Sequence, residues 1–129
     1  MAITGVVAGN NNLVVWGDKK PTQFSTTQQP FIEWSHNNGE TWTELQTNDY
    51  VTHAWFDGND QLYVATERDL RTGITSKSKG TKILSLNHRI ENIDHSINNH
   101  IAGLSNGIIY HTTNQGKSWE QVIVPKPIY

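Results

Sequence analysis

The chain has 129 residues, a formal charge of −2 at pH 7, no cysteine and five tryptophans. That length suits a single domain, and the near-neutral balance gives no electrostatic footing for nucleic acid or an anionic membrane surface. Without cysteine there is no disulfide scaffold, zinc ribbon or thiol nucleophile, and no apolar run approaches the ~20 residues of a membrane span.

The first stretch, MAITGVVAGNNNLVVWGDKK, has no basic residue before Lys19 and reads poorly as a secretory signal. The compartment is therefore open, cytoplasmic and virion-associated locations being two options. Residues 4–17, TGVVAGNNNLVVWG, read as strand, polar turn and strand. The GNNN turn consists of residues that tolerate left-handed backbone. An insertion, DKKPTQFSTTQQP (18–30), follows; its two prolines and polar run argue against a strand. A strand opening FIEW leads into a polar box, Ser35, Asn37, Gly39 and Trp42, and WTEL gives a fourth strand.

The same order recurs twice. HAWFDGNDQLYVAT (53–66) and NIDHSINNHIAGLS (92–105) align with 4–17 without a gap, placing Leu13, Leu62 and Ile101 at one shared position. Their turns are DGND and INNH. GIT and GIIYH then precede a weak box, Ser76, Ser78, Gly80 and Ile83, and a strong one, Thr112, Asn114, Gly116 and Trp119. ILSL and WEQVIV close the units. The box glycines are 41 and 36 residues apart, near the period of propeller blades. Helices and low-complexity tracts are not evident, and abundant Asn, Thr, Ser and Gln suit a β protein with many tight turns.

The third box contains Gly-Lys-Ser, the tail of a phosphate-binding loop. Such a loop needs a glycine five residues before Gly116 so that successive backbone N–H groups can wrap a phosphate. That position is His111, so the spacing excludes a nucleotide loop. The box reads instead as a turn. A short polar side chain two residues before glycine accepts backbone N–H bonds, glycine takes the positive φ, and Trp folds back as an apolar plug. Lys117 is then a solvated turn residue.

This skeleton resembles the Asp-box, or BNR repeat, of β-propeller proteins, with Asn for Asp in two boxes and a degenerate middle copy. Unit three looks most like blades of sialidases, sortilin-like receptors and photosystem-assembly propellers. The resemblance covers the whole chain. It implies an all-β fold of three four-stranded antiparallel blades, at about 3–46, 51–86 and 90–124. It also implies that the boxes are structural and lie away from the ligand face. Single-chain propellers have ~4–8 blades, so three leave two raw flanks. The chain starts with Met and holds three full units, which points to assembly rather than a fragment. Two copies complete a six-bladed ring, with blade three of each meeting blade one of the other.

The resemblance places ligands at the channel mouth, around connections 46–50 and 86–89 and around 18–30, 67–73 and 105–107. All three arginines, Arg68, Arg71 and Arg89, fall there, with Asp49, Tyr50, Glu67, Asp69 and His88. Guanidinium forks suit carboxylates and other anions. The sialidase set further requires an Arg-Ile-Pro type motif near the first blade and a Tyr–Glu nucleophile pair. Unit one has no arginine, and no such motif occurs. No catalytic residue, metal site or cofactor is therefore assigned. The six histidines lack metal-site spacing; His53 is placed beside Trp55 facing the channel, and His95 and His100 flank a turn. Trp16, Trp34 and Trp55 read as core plugs, with sugar-stacking platforms the alternative. The leading expectation is a non-enzymatic module that binds a glycan or a protein. A structural or receptor-binding phage virion component and a sialidase-type hydrolase are the alternatives.

Overall fold

A computed structural model of the chain describes residues 2–20, 22–24, 26–96 and 100–125. Among these there are twelve strands and no helix: β1 (Ala2–Ala8), β2 (Leu13–Lys19), β3 (Gln29–Ser35), β4 (Thr43–Glu44), β5 (His53–Phe56), β6 (Leu62–Ala65), β7 (Asp69–Thr72), β8 (Thr81–Ser85), β9 (Asn92–His95), β10 (Ile101–Ser105), β11 (Ile108–Thr112) and β12 (Glu120–Ile123). They form three four-stranded antiparallel meanders, β1–β4, β5–β8 and β9–β12, hereafter sheets I, II and III.

Alternation along each strand decides which face packs where. In sheet I, Val14, Trp16 and Ile32, with Leu45 beyond β4, face sheet II. They form one core with Ala54, Leu62, Val64 and Ile74. The opposite face of sheet II presents Trp55, Tyr63, Ala65, Leu70 and Leu84 to Ile101 of sheet III, flanked by Ile93, Tyr110 and Trp119. Sheet II is thus covered on both sides. Its strand β6, Leu-Tyr-Val-Ala, is buried at every residue, as an unalternating apolar run between two layers should be.

Register corrects the gap-free alignment by one residue. The first hairpin closes with Gly9 N–H donating to Asn12 O at 2.8 Å, a shorter loop than Asp57 to Gln61 (3.0 Å) or Ser96 to His100 (2.9 Å). Loop length sets hairpin register. So Ala8, and not Val7, pairs with Leu13, as Phe56 pairs with Leu62 and His95 with Ile101. Of the third polar turn, 97–100, only His100 lies within the described residues.

A second difference concerns 67–73, expected as a connection. Residues 69–72 are strand β7, with Leu70 fully buried and paired with Ala65 and Leu84. Leu70 completes the face that sheet III covers, and that burial outweighs the polar look of the segment.

Boxes one and three close with the same bonds. Ser35 Oγ accepts Gly39 N–H at 2.8 Å, and Thr112 Oγ1 accepts Gly116 N–H at 3.1 Å. Asn37 Oδ1 accepts Thr41 N–H at 2.9 Å, and Asn114 Oδ1 accepts Ser118 N–H at 3.0 Å. Gly39 and Gly116 hold φ of 92° and 83°, where glycine is unstrained. The middle turn is wired differently: Ser78 Oγ accepts Gly80 N–H at 3.1 Å, and Thr75 Oγ1 accepts Lys77 N–H at 3.2 Å. Ser76 contributes its carbonyl, to Gln46 Nε2 at 2.9 Å.

The expected plugs divide. Trp119 is half-buried and donates from Nε1 to Ile83 O of sheet II at 2.7 Å. Trp42, expected to be buried, is 40% exposed and donates only within its own turn, to Gly39 O at 3.1 Å. Among the described residues no other sheet offers Trp42 an acceptor. Ile83 lies in β8 and fills the space beside Gly116, on the side of sheet III. From the turn region of the middle box it is Ile74, just after β7, that enters the I–II core beside Ala54, Leu62 and Val64.

Trp119→Ala should therefore cost about 2–4 kcal/mol, slightly under a fully buried Trp truncation, and Ile74→Ala about 2–4 kcal/mol. Urea unfolding of the two variants checks this. A loss under ~0.5 kcal/mol at Trp119 would contradict its bridging role.

Candidate functional site

The connections expected to form a rim are short and strapped by backbone bonds. Between β6 and β7 only residues 66–68 remain, closed by Thr66 N–H donating to Asp69 O at 2.9 Å. The carbonyls of Glu67 and Arg68 accept from Ile90 N–H (2.7 Å) and Leu86 N–H (3.0 Å). Ser105 Oγ, buried in sheet III, donates to Arg89 O at 2.8 Å and approaches His88 O at 3.2 Å. The backbone of 86–90 is thus held by sheets II and III together, while Glu67, Arg68, His88 and Arg89 expose their side chains. His88 and Arg89, with Glu91 and Asn106, line an open cavity of about 430 Å³.

Arg71 lies elsewhere. It projects from β7 into a crevice between sheets I and II shared with Asp49, Thr47, Gln46 and Lys79. There Nη1 donates to Lys79 O at 3.4 Å, and Nη2 stands 3.9 Å from Asp69 Oδ2. Asp69 also accepts from Ser85 Oγ at 2.9 Å and lies 3.5 Å from Lys82 Nζ. A carboxylate that is 9% exposed needs such partners. The guanidiniums of Arg71 and Arg89 therefore occupy two crevices and do not share one clamp. Tyr50 is exposed.

A feature hidden from sequence reading is an aromatic column across the II–III junction. The rings of Tyr63 and Trp55 stack at 5.2 Å, and those of Trp55 and His95 at 4.5 Å within 3° of parallel. His53 lies 5.4 Å from Trp55 and 5.6 Å from His95. Tyr63 Oη donates to Asp57 Oδ2 at 3.2 Å; burial, then the Asp57 charge and this bond, push its pKa up to about 12. Burial lowers His53 and His95 below the usual imidazole value, His53 further lowering His95, while Asp94 pulls both back up. The signal for His95 was register: it stands where sheet II has Phe56. Trp34, by contrast, is held by packing. It donates from Nε1 to Asn12 Oδ1 at 3.0 Å and stacks on His36 at 4.5 Å.

On the far face of sheet III, His100 and His111 lie 5.7 Å apart, and His111 Nε2 is 3.7 Å from Glu120. Among the described residues no three His, Asp or Glu side chains converge as a metal site. The same face carries an apolar hollow of about 240 Å³ lined by Ala102, Leu104, Ile109 and Val124, with Asn92 and Asp94 at its edge.

No protein-family model matches this chain, and no curated protein matches it.

The column makes stability depend on pH. The folded pKa values of His53 and His95 lie below that of a free imidazole, ~6.5, so the unfolded chain binds protons first as pH falls. Their contribution is complete above pH ~6.5 and declines as pH drops through that value toward the folded pKa values. Urea unfolding at pH 7.5 and 5.5 should show the loss. His95→Phe, which keeps a ring against Trp55, should reduce it.

Proposed function

We propose that the three sheets are blades of a β-propeller of Asp-box type, that two copies of the chain complete a six-bladed ring, and that the ring is a non-enzymatic binding module. The observation that carries this reading is the repeated junction. Successive meanders stack face to face, and the strong third box sends its Trp into the sheet before it. Blades in a ring pack in that way.

Recognition falls to the strapped connections at 66–68 and 86–90. Their backbone is preorganised by four hydrogen bonds, so little ordering cost remains when a ligand arrives. Arg89 and His88 offer donors at the cavity, and Arg68 exposes its side chain on the strapped connection 66–68. Donors without a paired acid and nucleophile suit an anionic group on a glycan or protein partner. Binding is favoured over hydrolysis because Arg71 is already committed to Asp69 and Lys79, leaving no three-armed carboxylate clamp.

Sulfate, acetate and an acidic sugar at ten times Kd should each stabilise the fold by about 1.4 kcal/mol through mass action. Thermal melts over an anion series read this directly. Arg89→Ala should abolish the gain and Arg71→Ala should leave it. No shift with any anion, together with an empty glycan array, would overturn the binding reading at this mouth.

A further inference from the structure

The outward faces of sheets I and III are not arbitrary surfaces. Register shows that they are the same two faces that every internal junction buries. Ala65, Leu70 and Leu84 form the face of sheet II that receives sheet III; Trp16, Ile32 and Leu45 form the face of sheet I packed against sheet II. Strand pairing makes Leu104, Ile109 and Val122 their counterparts in sheet III. Leu84 is 9% exposed and Val122 is 46% exposed. The other face behaves alike. Ala54 of sheet II, 2% exposed against sheet I, corresponds by pairing to Val6 of sheet I, which is 64% exposed.

The boxes give a sharper mark. Boxes one and three have the same internal bonds, but only box three has a neighbour. Trp119 Nε1 has two acceptors, Gly116 O at 3.2 Å and Ile83 O at 2.7 Å, and the Ile83 side chain fills the space beside Gly116. Trp42 Nε1 has Gly39 O alone among the described acceptors, and only Leu13 and Trp42 approach Gly39. Box one is a plug without a socket. Sheet III is a socket without a plug: Val122 stands opposite Ile109 in β12 as Leu84 stands opposite Leu70 in β8, and β12 lacks the bulge that β8 makes at Ile83.

We infer that the outer face of sheet III is the docking surface for the Trp42 face of sheet I in a second copy of this chain, in the register by which sheet III docks on sheet II. The inference rests on the half-ring reading and names the contact that closes it. Trp42 packs against the outward-facing Val122 of β12 in the second copy, and the hollow at Leu104 and Ile109 takes up that copy's sheet I. The occupant is a second copy because the interface continues one the chain already makes twice, from the same repeat positions. Glu33, on the docking face of sheet I, stands where pairing puts Arg71 in sheet II. Arg71 lies in the I–II crevice with its side chain 19% exposed, so a charge is accommodated at this place in a junction. Two-fold symmetry repeats the junction, giving a closed assembly with no flank left over.

The absence of native cysteine makes the test clean. One chain carries Gly39→Cys and another Val122→Cys: Gly39 is the counterpart of Gly116, which meets Ile83 across the II–III junction, and Val122 is the counterpart of Leu84, the residue beside Ile83. Mixed and oxidised, the two should form a covalent pair, while neither alone should. Trp42→Cys serves in place of Gly39→Cys if the latter loses its near-ultraviolet dichroism. Leu104→Lys should abolish the cross-link. Light scattering of the unaltered chain at micromolar concentration should give about twice 14.6 kDa. A twofold mass without the mixed cross-link overturns this docking and leaves the two-copy ring standing on another face. A single-chain mass without it overturns both. A threefold mass with the cross-link keeps the docking and overturns the two-copy ring.

Discussion

The burial of sheet II on both faces is the constraint from which the rest follows. Its strands are four or five residues long, and a small sheet of that length has marginal stability alone. Each fully buried Val, Leu or Ile is worth about 1.5–3 kcal/mol, and sheet II supplies such side chains to two cores at once. Sheets I and III supply one core each. The middle meander is therefore the keel, and the outer two are ordered by what they lay against it.

The two junctions are built differently. Between I and II the contact is mostly aliphatic, with Gln46 adding backbone and side-chain bonds to Thr75 O and Ser76 O. Between II and III it is aromatic: Trp119 bonds across it, and Trp55 stands between Tyr63 and His95. A stacked imidazole packs best uncharged, and burial keeps it so. The polar atoms drawn into these junctions are matched. Asp57 takes Tyr63 Oη and two backbone N–H groups, and no buried side-chain nitrogen or oxygen among the described residues lacks a partner. A junction with matched polar groups has one low-energy register.

That rigidity is what a rim needs. The segments at 66–68 and 86–90 are bonded to each other and to Ser105, so the side chains they display are carried on fixed backbone. The expected insertion 18–30 is shorter than its sequence suggests, because Asp18 and Lys19 pair with Pro30 and Gln29 and extend the β2–β3 ladder. The proposed recognition at this rim and the proposed assembly through repeated faces would draw on one device, the sheet-to-sheet register.

Part of this was legible in the sequence because it is local. The box turns rest on bonds spanning two to four residues, so Ser35, Asn37 and Gly39, or Thr112, Asn114 and Gly116, announce themselves by spacing. The period and the shared Leu13, Leu62 and Ile101 were visible for the same reason. The tertiary structure alone decided the rest, because burial depends on which sheet stands opposite. It made Leu70 a core residue inside a polar segment, set His95 against Trp55, and parted Arg71 from Arg89. It gave two like boxes unlike fates: Trp119 found a carbonyl across a junction, and Trp42 faces outward. Local hydrogen bonds are written in neighbouring residues, whereas a packing partner is chosen by the sheet that folds against it.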